Sequence, residues 1–179
     1  MTEYLSCADT AKLVRVALKE AFPGVKFSVR SHNYAGGASI DVGWMDGPTA
    51  EAADSVGSRF RRATFDSMTD CMNYHNNEFQ GREVSFGADF VFCNRDVSVE
   101  LTQRALDQIW KRHHVEEAQP ELLAKPWGAD FDSNLCIDGV FVPTLVYREQ
   151  RTMSVGEYPG VSALADQVKN VTAREAVCQ

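Results

Sequence analysis

The sequence lacks any long apolar run. Across its 179 residues, nothing approaches the roughly 20 consecutive apolar residues that a membrane-spanning helix needs. The first residues, MTEYLSCADTAK, also lack the basic and apolar regions of a secretory signal. With 44% hydrophobic residues the chain can still bury a core. We therefore expect a soluble, cytoplasmic protein.

Cysteine is scarce and shows no pairing pattern. The five cysteines are widely scattered, odd in number and without a CxxC motif. This distribution suits reduced thiols in a cytosol better than a disulfide framework.

Common catalytic and nucleotide-binding motifs are also missing. The sequence contains no GxxxxGK[ST], no GxGxxG after a strand, no HExxH and no GxSxG. Asp66, Asp70 and His75 could bind a metal or act in acid–base chemistry. Capping or surface roles are commoner for aspartate, so a metal-dependent hydrolase is only our third hypothesis. We predict a protein that is not an enzyme, with no catalytic residues, no metal and no cofactor.

The formal net charge is −7, from 18 basic and 25 acidic residues. This balance disfavours broad, nonspecific nucleic-acid binding. The acidity lies late in the chain, where an acidic surface could imitate nucleic acid and occupy a basic groove on a partner. A solvated surface that keeps the protein soluble is the plainer alternative. The candidate partner-binding acids are Glu116, Glu117, Glu121, Asp130 and Asp132.

Two groups of basic residues form an alternative surface. Lys12, Arg15 and Lys19 share one side of the first predicted helix, and Arg59, Arg61 and Arg62 cluster at the end of the second. These cations could contact phosphate or an acidic partner. A solvated helix face and complementation of a helix dipole are the structural alternatives.

The hydrophobic pattern predicts an α+β domain with the order α-β-β-α-β-α. We expect an antiparallel sheet of at least three strands, with helices packed on one face. Val25–Pro48 reads as two strands joined by a loop over Ser31–Gly37, in which the Gly36-Gly37 pair permits positive φ or close backbone approach. The third strand is expected at Val84–Asn94, with Phe90 and Phe92 on the same face as Val84, and Asp89 could pair with Arg95. The helices are predicted over residues 8–22, after Pro48, and over Val99–His114 with Ser98 as its cap.

From Val115 the composition changes, and the following segment reads as a linker or as chain laid across the surface. Asp138-Gly139 is a favoured hairpin turn, followed by a strand over Val140–Tyr147 that Pro143 places at an edge or interrupts. A last helix is expected over residues 162–176. We therefore predict a core domain over residues 1–114 and an acidic C-terminal extension over residues 115–179.

Four segments carry a resemblance to a known family: KLVRVALKEAFPGVKFSVRS, GGASIDVGWMDGPT, FDSMTD and GADFVFCNRDVS. In this order they resemble the large polyvalent protein-associated domain numbered 29, over about Cys7–His114. Domains of that group occur in long proteins of phages and conjugative plasmids and as free-standing small proteins. The resemblance implies a phage- or plasmid-borne accessory protein and supplies no catalytic residues.

A small, acidic protein from such a source would suit inhibition of a host defence complex, of the anti-CRISPR or antirestriction type. The expected mechanism is stoichiometric binding to a host protein or ribonucleoprotein. The alternative is a nucleic-acid-binding accessory module that uses the two basic groups.

Overall fold

The computed structural model describes residues 2–66, 68, 71–74, 77–79, 82–125, 128–131, 134–156 and 158. For residues 64–66, 72–74, 78 and 128–130 the description covers the backbone. The described helices are α1 (Cys7–Ala21), α2 (Ala50–Gly57), α3 (Val99–His113) and α4 (Val142–Thr152). The described strands are β1 (Glu3–Tyr4), β2 (Ser28–Tyr34), β3 (Gly37–Met45), β4 (Ala63–Asp66), β5 (Cys71–Tyr74), β6 (Asn77–Phe79), β7 (Arg82–Ser85), β8 (Phe90–Asp96), β9 (Leu123–Lys125), β10 (Gly128–Asp130), β11 (Cys136–Ile137) and β12 (Val140–Phe141).

These elements form two compact units. The first contains residues 2–44, the described residues of 50–94, and Tyr158; the second contains residues 45–49 and the described residues of 95–156. Division of the chain near Val115 is a different boundary and stays a prediction. The broad α+β assignment is confirmed, since helices and sheets occur in both units.

The β2–β3 hairpin is longer than its apolar pattern indicated. The strands pair antiparallel from Ser28 opposite Gly43 to Tyr34 opposite Gly37. This register leaves a two-residue turn, so the loop predicted over Ser31–Gly37 is wrong. The error arose because β2 is exposed beyond Val29 and therefore needs no apolar alternation there.

Strand β8 completes this sheet, in the order β2-β3-β8. The sheet is mixed, which corrects the purely antiparallel prediction. Two hydrogen bonds give the direction: the N–H of Asp89 donates to the carbonyl of Ala38, and that of Asp46 donates to the carbonyl of Asp96. Strands β3 and β8 are therefore parallel. A connection that includes α2 is long enough for a parallel crossover, which a hairpin turn is not.

The segment predicted as one strand over Val84–Asn94 is two strands, β7 and β8. Val84 is buried on β7, which pairs with β1 and β6. On β8 the buried residue is Val91, whereas 48% of Phe92 is exposed. The break between the strands reverses the alternation, so the prediction that Phe90 and Phe92 share a face with Val84 is wrong.

Helices α1 and α2 cover one face of the β2-β3-β8 sheet. Val14 and Leu18 of α1 and Val56 of α2 belong to the same buried cluster as Ile40 and Val42 of β3. The side chain of Ser6 caps α1 by accepting a hydrogen bond from the N–H of Asp9 at 3.1 Å. The apolar stripe predicted for α1 is therefore its buried face, and it anchors the sheet.

In the second unit α3 begins at the predicted cap. Ser98 accepts from the N–H of Leu101 at 3.1 Å. The buried face of α3 packs with α4 and the β11–β12 hairpin; its cluster contains Ala105, Leu106, Ile109, Trp110, Ile137, Val142 and Val146.

The Asp138-Gly139 turn is confirmed, with φ of 50° and 77° at its two residues. The strand predicted over Val140–Tyr147 ends at Phe141, and α4 follows it. Pro143 occupies the first turn of α4, where its missing N–H costs no helical hydrogen bond. The helix predicted over residues 162–176 lies outside the described residues. Among the described helices, none is long and apolar enough to cross a membrane.

Candidate functional site

The basic residues of α1 are partly committed to local contacts. Lys12 Nζ lies 2.7 Å from Asp9 Oδ1. The hydrogen bonds from Lys12 and Ser6 lower the pKa of Asp9. Arg15 Nη2 donates to the carbonyl of Val29 at 2.8 Å, which ties α1 to β2. Lys19 is exposed in the last turn, where a cation complements the helix dipole.

The second basic group faces carboxylates and backbone carbonyls. Arg61 Nη2 donates to Asp54 Oδ1 at 2.6 Å and to the carbonyl of Val91 at 2.8 Å. Arg62 Nη2 donates to Asp89 Oδ1 at 2.5 Å. Arg59 is half-buried within a 3₁₀ turn. Arg61 and Arg62 connect α2 and its following turn to β8 and to Asp89 just before it, so the structural role of these two residues is well defined.

Asp89 is the centre of this arrangement. Asp89 is 6% exposed, and its Oδ2 accepts a hydrogen bond from the N–H of Ala38 at 2.9 Å. A Cβ added to Gly37 would lie 2.6 Å from the same oxygen. Gly37 therefore permits the close approach that the Gly36-Gly37 pair suggested, and Gly36 takes the positive φ, at 110°.

Arg95, which the sequence offered as the partner of Asp89, bonds elsewhere. Its guanidinium donates to the carbonyls of Asp46 and Gln150, at 2.8 and 3.0 Å. The pairing of Asp89 with Arg95 is therefore wrong. Asp89 precedes β8 and Arg95 lies near its other end, so the length of the strand separates them. Arg62, in contrast, reaches Asp89 from the chain after α2.

The acidic segment, Glu116–Glu121, follows α3 and is held against it. Trp110 Nε1 donates to the carbonyl of Glu117 at 2.8 Å. Gln119 bonds to Gln103 at 2.6 Å and to Asp107 at 3.1 Å. The side chains of Glu116, Glu117 and Glu121 are exposed. Among the described residues, no ion pair within 4.0 Å involves these three carboxylates.

The other two predicted acids add nothing to this geometry. Asp130 lies in β10, of which the backbone is described, and Asp132 lies outside the described residues. Val115, Leu122 and Phe131 pack against the core of the second unit. Of the two readings of this region, a segment laid across the surface therefore fits better than a free linker.

The hypothetical metal group cannot be assembled from the described residues. Asp66 is described by its backbone in β4, and Asp70 and His75 lie outside the described residues. Elsewhere in the described part of the chain, no cluster of three histidine, cysteine, aspartate or glutamate side chains could hold a metal.

The described cysteines are free thiols. Burial is the main cause that raises the pKa of Cys93 to about 12.

Two ion pairs in the second unit were not foreseen from the sequence. Arg112 Nη1 and Nη2 donate to the two carboxylate oxygens of Glu149, at 2.8 and 2.7 Å. These bonds lower the pKa of Glu149. His113 Nδ1 lies 2.7 Å from Asp138 Oδ2, which joins the end of α3 to the hairpin turn. Finding these contacts would have required the packing of α3 against α4 and against the β11–β12 turn.

Comparison with protein families identifies the chain. The model of the large polyvalent protein associated domain 29 matches residues 5–98. The chain belongs to this family. The family associates the protein with phages and other mobile genetic elements. The match ends at Ser98, immediately before α3, and so excludes the acidic segment. No curated protein and no solved structure matches the chain.

Proposed function

We propose that this protein is a non-enzymatic inhibitor of a host defence complex, of the anti-CRISPR or antirestriction type. It acts by stoichiometric binding to a host protein or ribonucleoprotein. The acidic segment supplies the contact, with Glu116, Glu117 and Glu121 facing a basic groove that otherwise takes nucleic acid. Association of the family with mobile elements makes a host defence complex a reasonable target.

The observation that carries the proposal is the state of the acidic segment. The carbonyl of Glu117 and the side chain of Gln119 fix the segment to α3, while Glu116, Glu117 and Glu121 are exposed and make no ion pair within 4.0 Å among the described residues. A backbone held in place loses little conformational entropy when a partner binds. Complementary charge across an interface also speeds association and excludes wrong partners.

The basic residues support the alternative function less well. Arg15, Arg61 and Arg62 each donate to an acceptor within the first unit. Using them to bind phosphate would require these bonds to be shared or broken. The nucleic-acid accessory function through these six residues therefore ranks second.

The proposal is tested by plaque formation on hosts that carry a defined restriction or CRISPR system. Expression of the wild-type protein should raise plating efficiency. A variant with Glu116→Gln, Glu117→Gln and Glu121→Gln should lose most of this effect, because glutamine carries no charge to attract a basic groove. At 0.1 M salt, attraction between exposed charges extends only about 10 Å, so carboxylates elsewhere on the surface cannot replace these three. The matched control replaces three exposed glutamates elsewhere, Glu20, Glu51 and Glu100, with glutamine.

Each result separates the functions. Loss in the acidic-segment variant, with the control still active, supports inhibition through this segment. A loss that follows only from Lys12→Ala, Arg15→Ala and Lys19→Ala contradicts it and favours the nucleic-acid accessory module. No protection on any tested system by the folded wild-type protein would remove those systems as targets.

A further inference from the structure

The stacked pair Phe90 and Phe92 lies on the face of the β2-β3-β8 sheet opposite α1 and α2. We call this face the open face. The two ring centroids are 5.8 Å apart and the ring planes differ by 13°. Phe92 is 48% exposed. Val91 between them is buried, so strand alternation fixes both rings outward.

The centre of the open face carries no bulky side chain. Strand β3 contributes Gly37, Ser39, Asp41 and Gly43 to it by alternation. A Cβ placed on Gly43 would meet nothing closer than the carbonyl oxygen of Asn94, at 4.0 Å. The Tyr34 ring lies over Gly37, and Ser39 is 8% exposed, so the shallow trough lies over Asp41 and Gly43. Its two outer strands lie about 10 Å apart, twice the usual spacing of about 4.8 Å.

Strand β2 lines the other side of the trough with cationic and aromatic groups. Arg30, His32 and Tyr34 alternate outward and are exposed. His32 Nε2 lies 3.3 Å from Asp41 Oδ2. Arg30 makes no ion pair within the described part of the chain, and neither does the exposed Lys26 just before β2. Positive charge thus faces the aromatic rings across the trough.

We propose that the open face binds single-stranded RNA. Bases stack on Phe92 and Tyr34, because every base presents a π-face to an aromatic ring. Arg30 and Lys26 contact phosphates at the β2 side. Between them, Asp41 and Asn94 accept hydrogen bonds from ribose 2′-hydroxyls, which DNA lacks. This surface belongs to the first unit and the acidic segment to the second, and the inference does not rest on the proposed inhibition.

The acidic net charge shapes the expected binding. With two free cations, electrostatics adds little, so the affinity depends mainly on stacking. For single strands the slope of log Kobs against log salt is about −0.7 for each phosphate neutralised. Two contacts therefore predict a slope of about −1.4, and Arg30→Ala should reduce its magnitude by about 0.7.

Fluorescence anisotropy with a labelled, unstructured RNA tests the proposal. The RNA has about 12 nucleotides, a length within the usual site size of single-strand-binding domains. Phe92→Ala should raise the Kd about fivefold or more, the equivalent of about 1 kcal/mol of lost base stacking. Phe92→Tyr keeps a π-face and should bind nearly as wild type. The matched control is Tyr147→Ala, an aromatic ring that is 63% exposed in the second unit, which should change nothing.

Several results would overturn the proposal. These are absence of RNA binding by the wild-type protein, equal losses in Phe92→Ala and Tyr147→Ala, and equal affinity for DNA of the same sequence. Sedimentation that shows dimerisation dependent on Phe92 would assign the face to a second copy instead. If Phe92→Ala does not fold, ultraviolet crosslinking of RNA to the wild-type protein decides, with crosslinks at Phe92 or Tyr34 expected.

Discussion

At the scale of single residues, Asp89 explains where its neighbours lie. Its carboxylate is buried and accepts from Ala38 and Arg62, and its own N–H donates to the carbonyl of Ala38. A buried carboxylate needs such partners. Asp89 lies immediately before β8, so these bonds join the start of that strand to Ala38 at the start of β3 and to Arg62. The outward orientation of Phe90 and Phe92 follows instead from the buried Val91 between them.

Cys93 is a second residue whose surroundings fix its chemistry. Because burial raises its pKa to about 12, only about 10⁻⁴ of the thiol is ionised at about pH 8, and the thiolate is the reactive form. We expect iodoacetamide to modify the exposed Cys136 well before Cys93 in the native protein, as measured by mass spectrometry of peptides over time. In about 8 M urea the difference should disappear. Equal native rates at the two cysteines would contradict this burial.

At the scale of elements, Gly87 sets how closely α1 approaches the break between β7 and β8. A Cβ at this position would lie 2.4 Å from the nitrogen of Cys7 and 2.5 Å from the oxygen of Leu5. Gly87 also donates its N–H to Thr10 Oγ1 at 3.0 Å. Gly87 therefore permits the close approach of the backbone at the start of α1.

Gly87→Ala should therefore destabilise the protein by about 1–3 kcal/mol or more, since backbone must move to accept the methyl group. Gly43→Ala is the matched control, because its nearest contact is at 4.0 Å. Urea unfolding followed by circular dichroism gives both free energies of unfolding. Equal values for the two variants would show that α1 does not approach Gly87 as described.

The ion pair between Arg112 of α3 and Glu149 of α4 should make a pH-dependent contribution to the stability of the fold. Hydrogen bonds from Arg112 lower the pKa of Glu149 in the folded state. A carboxylate whose pKa is lowered in the folded state stabilises the fold at pH values above its unfolded-state pKa. This stabilisation is lost as the pH falls through the folded-state pKa. Glu149→Gln should therefore reduce the Tm at about pH 7, and its difference from wild type should shrink toward about pH 2.5.

Glu100→Gln is the comparison for this measurement, since Glu100 is an exposed glutamate in the first turn of α3. Its effect should be smaller at about pH 7 than that of Glu149→Gln. A difference between Glu149→Gln and wild type that stays constant across the pH series would mean that the bidentate pair does not contribute through ionisation.

At the scale of the whole molecule, local patterns predicted local structure well. The apolar stripes of α1 and α3, the cap of α3 at Ser98, and the Asp138-Gly139 turn could all be read from neighbouring residues. The direction of β8 could not, because a parallel crossover depends on how a long connection returns. The helix α4 was also missed, since Pro143 reads as a strand breaker unless it falls in a helical first turn.

The sequence predicted which charged residues are candidates for a site, but it did not predict which of them pair with each other in the fold. Exposure of Glu116, Glu117 and Glu121 agrees with a plain run of acid in the sequence. The commitment of Arg61 and Arg62 to Asp54 and Asp89 depends on contacts across 7 and 27 residues, which no periodicity reports. The open face was missed for the same reason, because a break at Gly87–Asp89 changed which side of the strand was buried.

The last prediction concerns a variant that is truncated after His114. In the second unit the apolar face of α3 packs with α4 and the β11–β12 hairpin. A chain that stops at His114 would expose Leu106, Ile109 and Trp110, and each large side chain loses about 1.5–3 kcal/mol of burial free energy. We expect this truncated chain to bind the dye ANS and to lose the helicity of α3 in circular dichroism, unlike the full chain. A truncated chain that unfolds cooperatively and binds no dye would instead establish residues 1–114 as an independent domain.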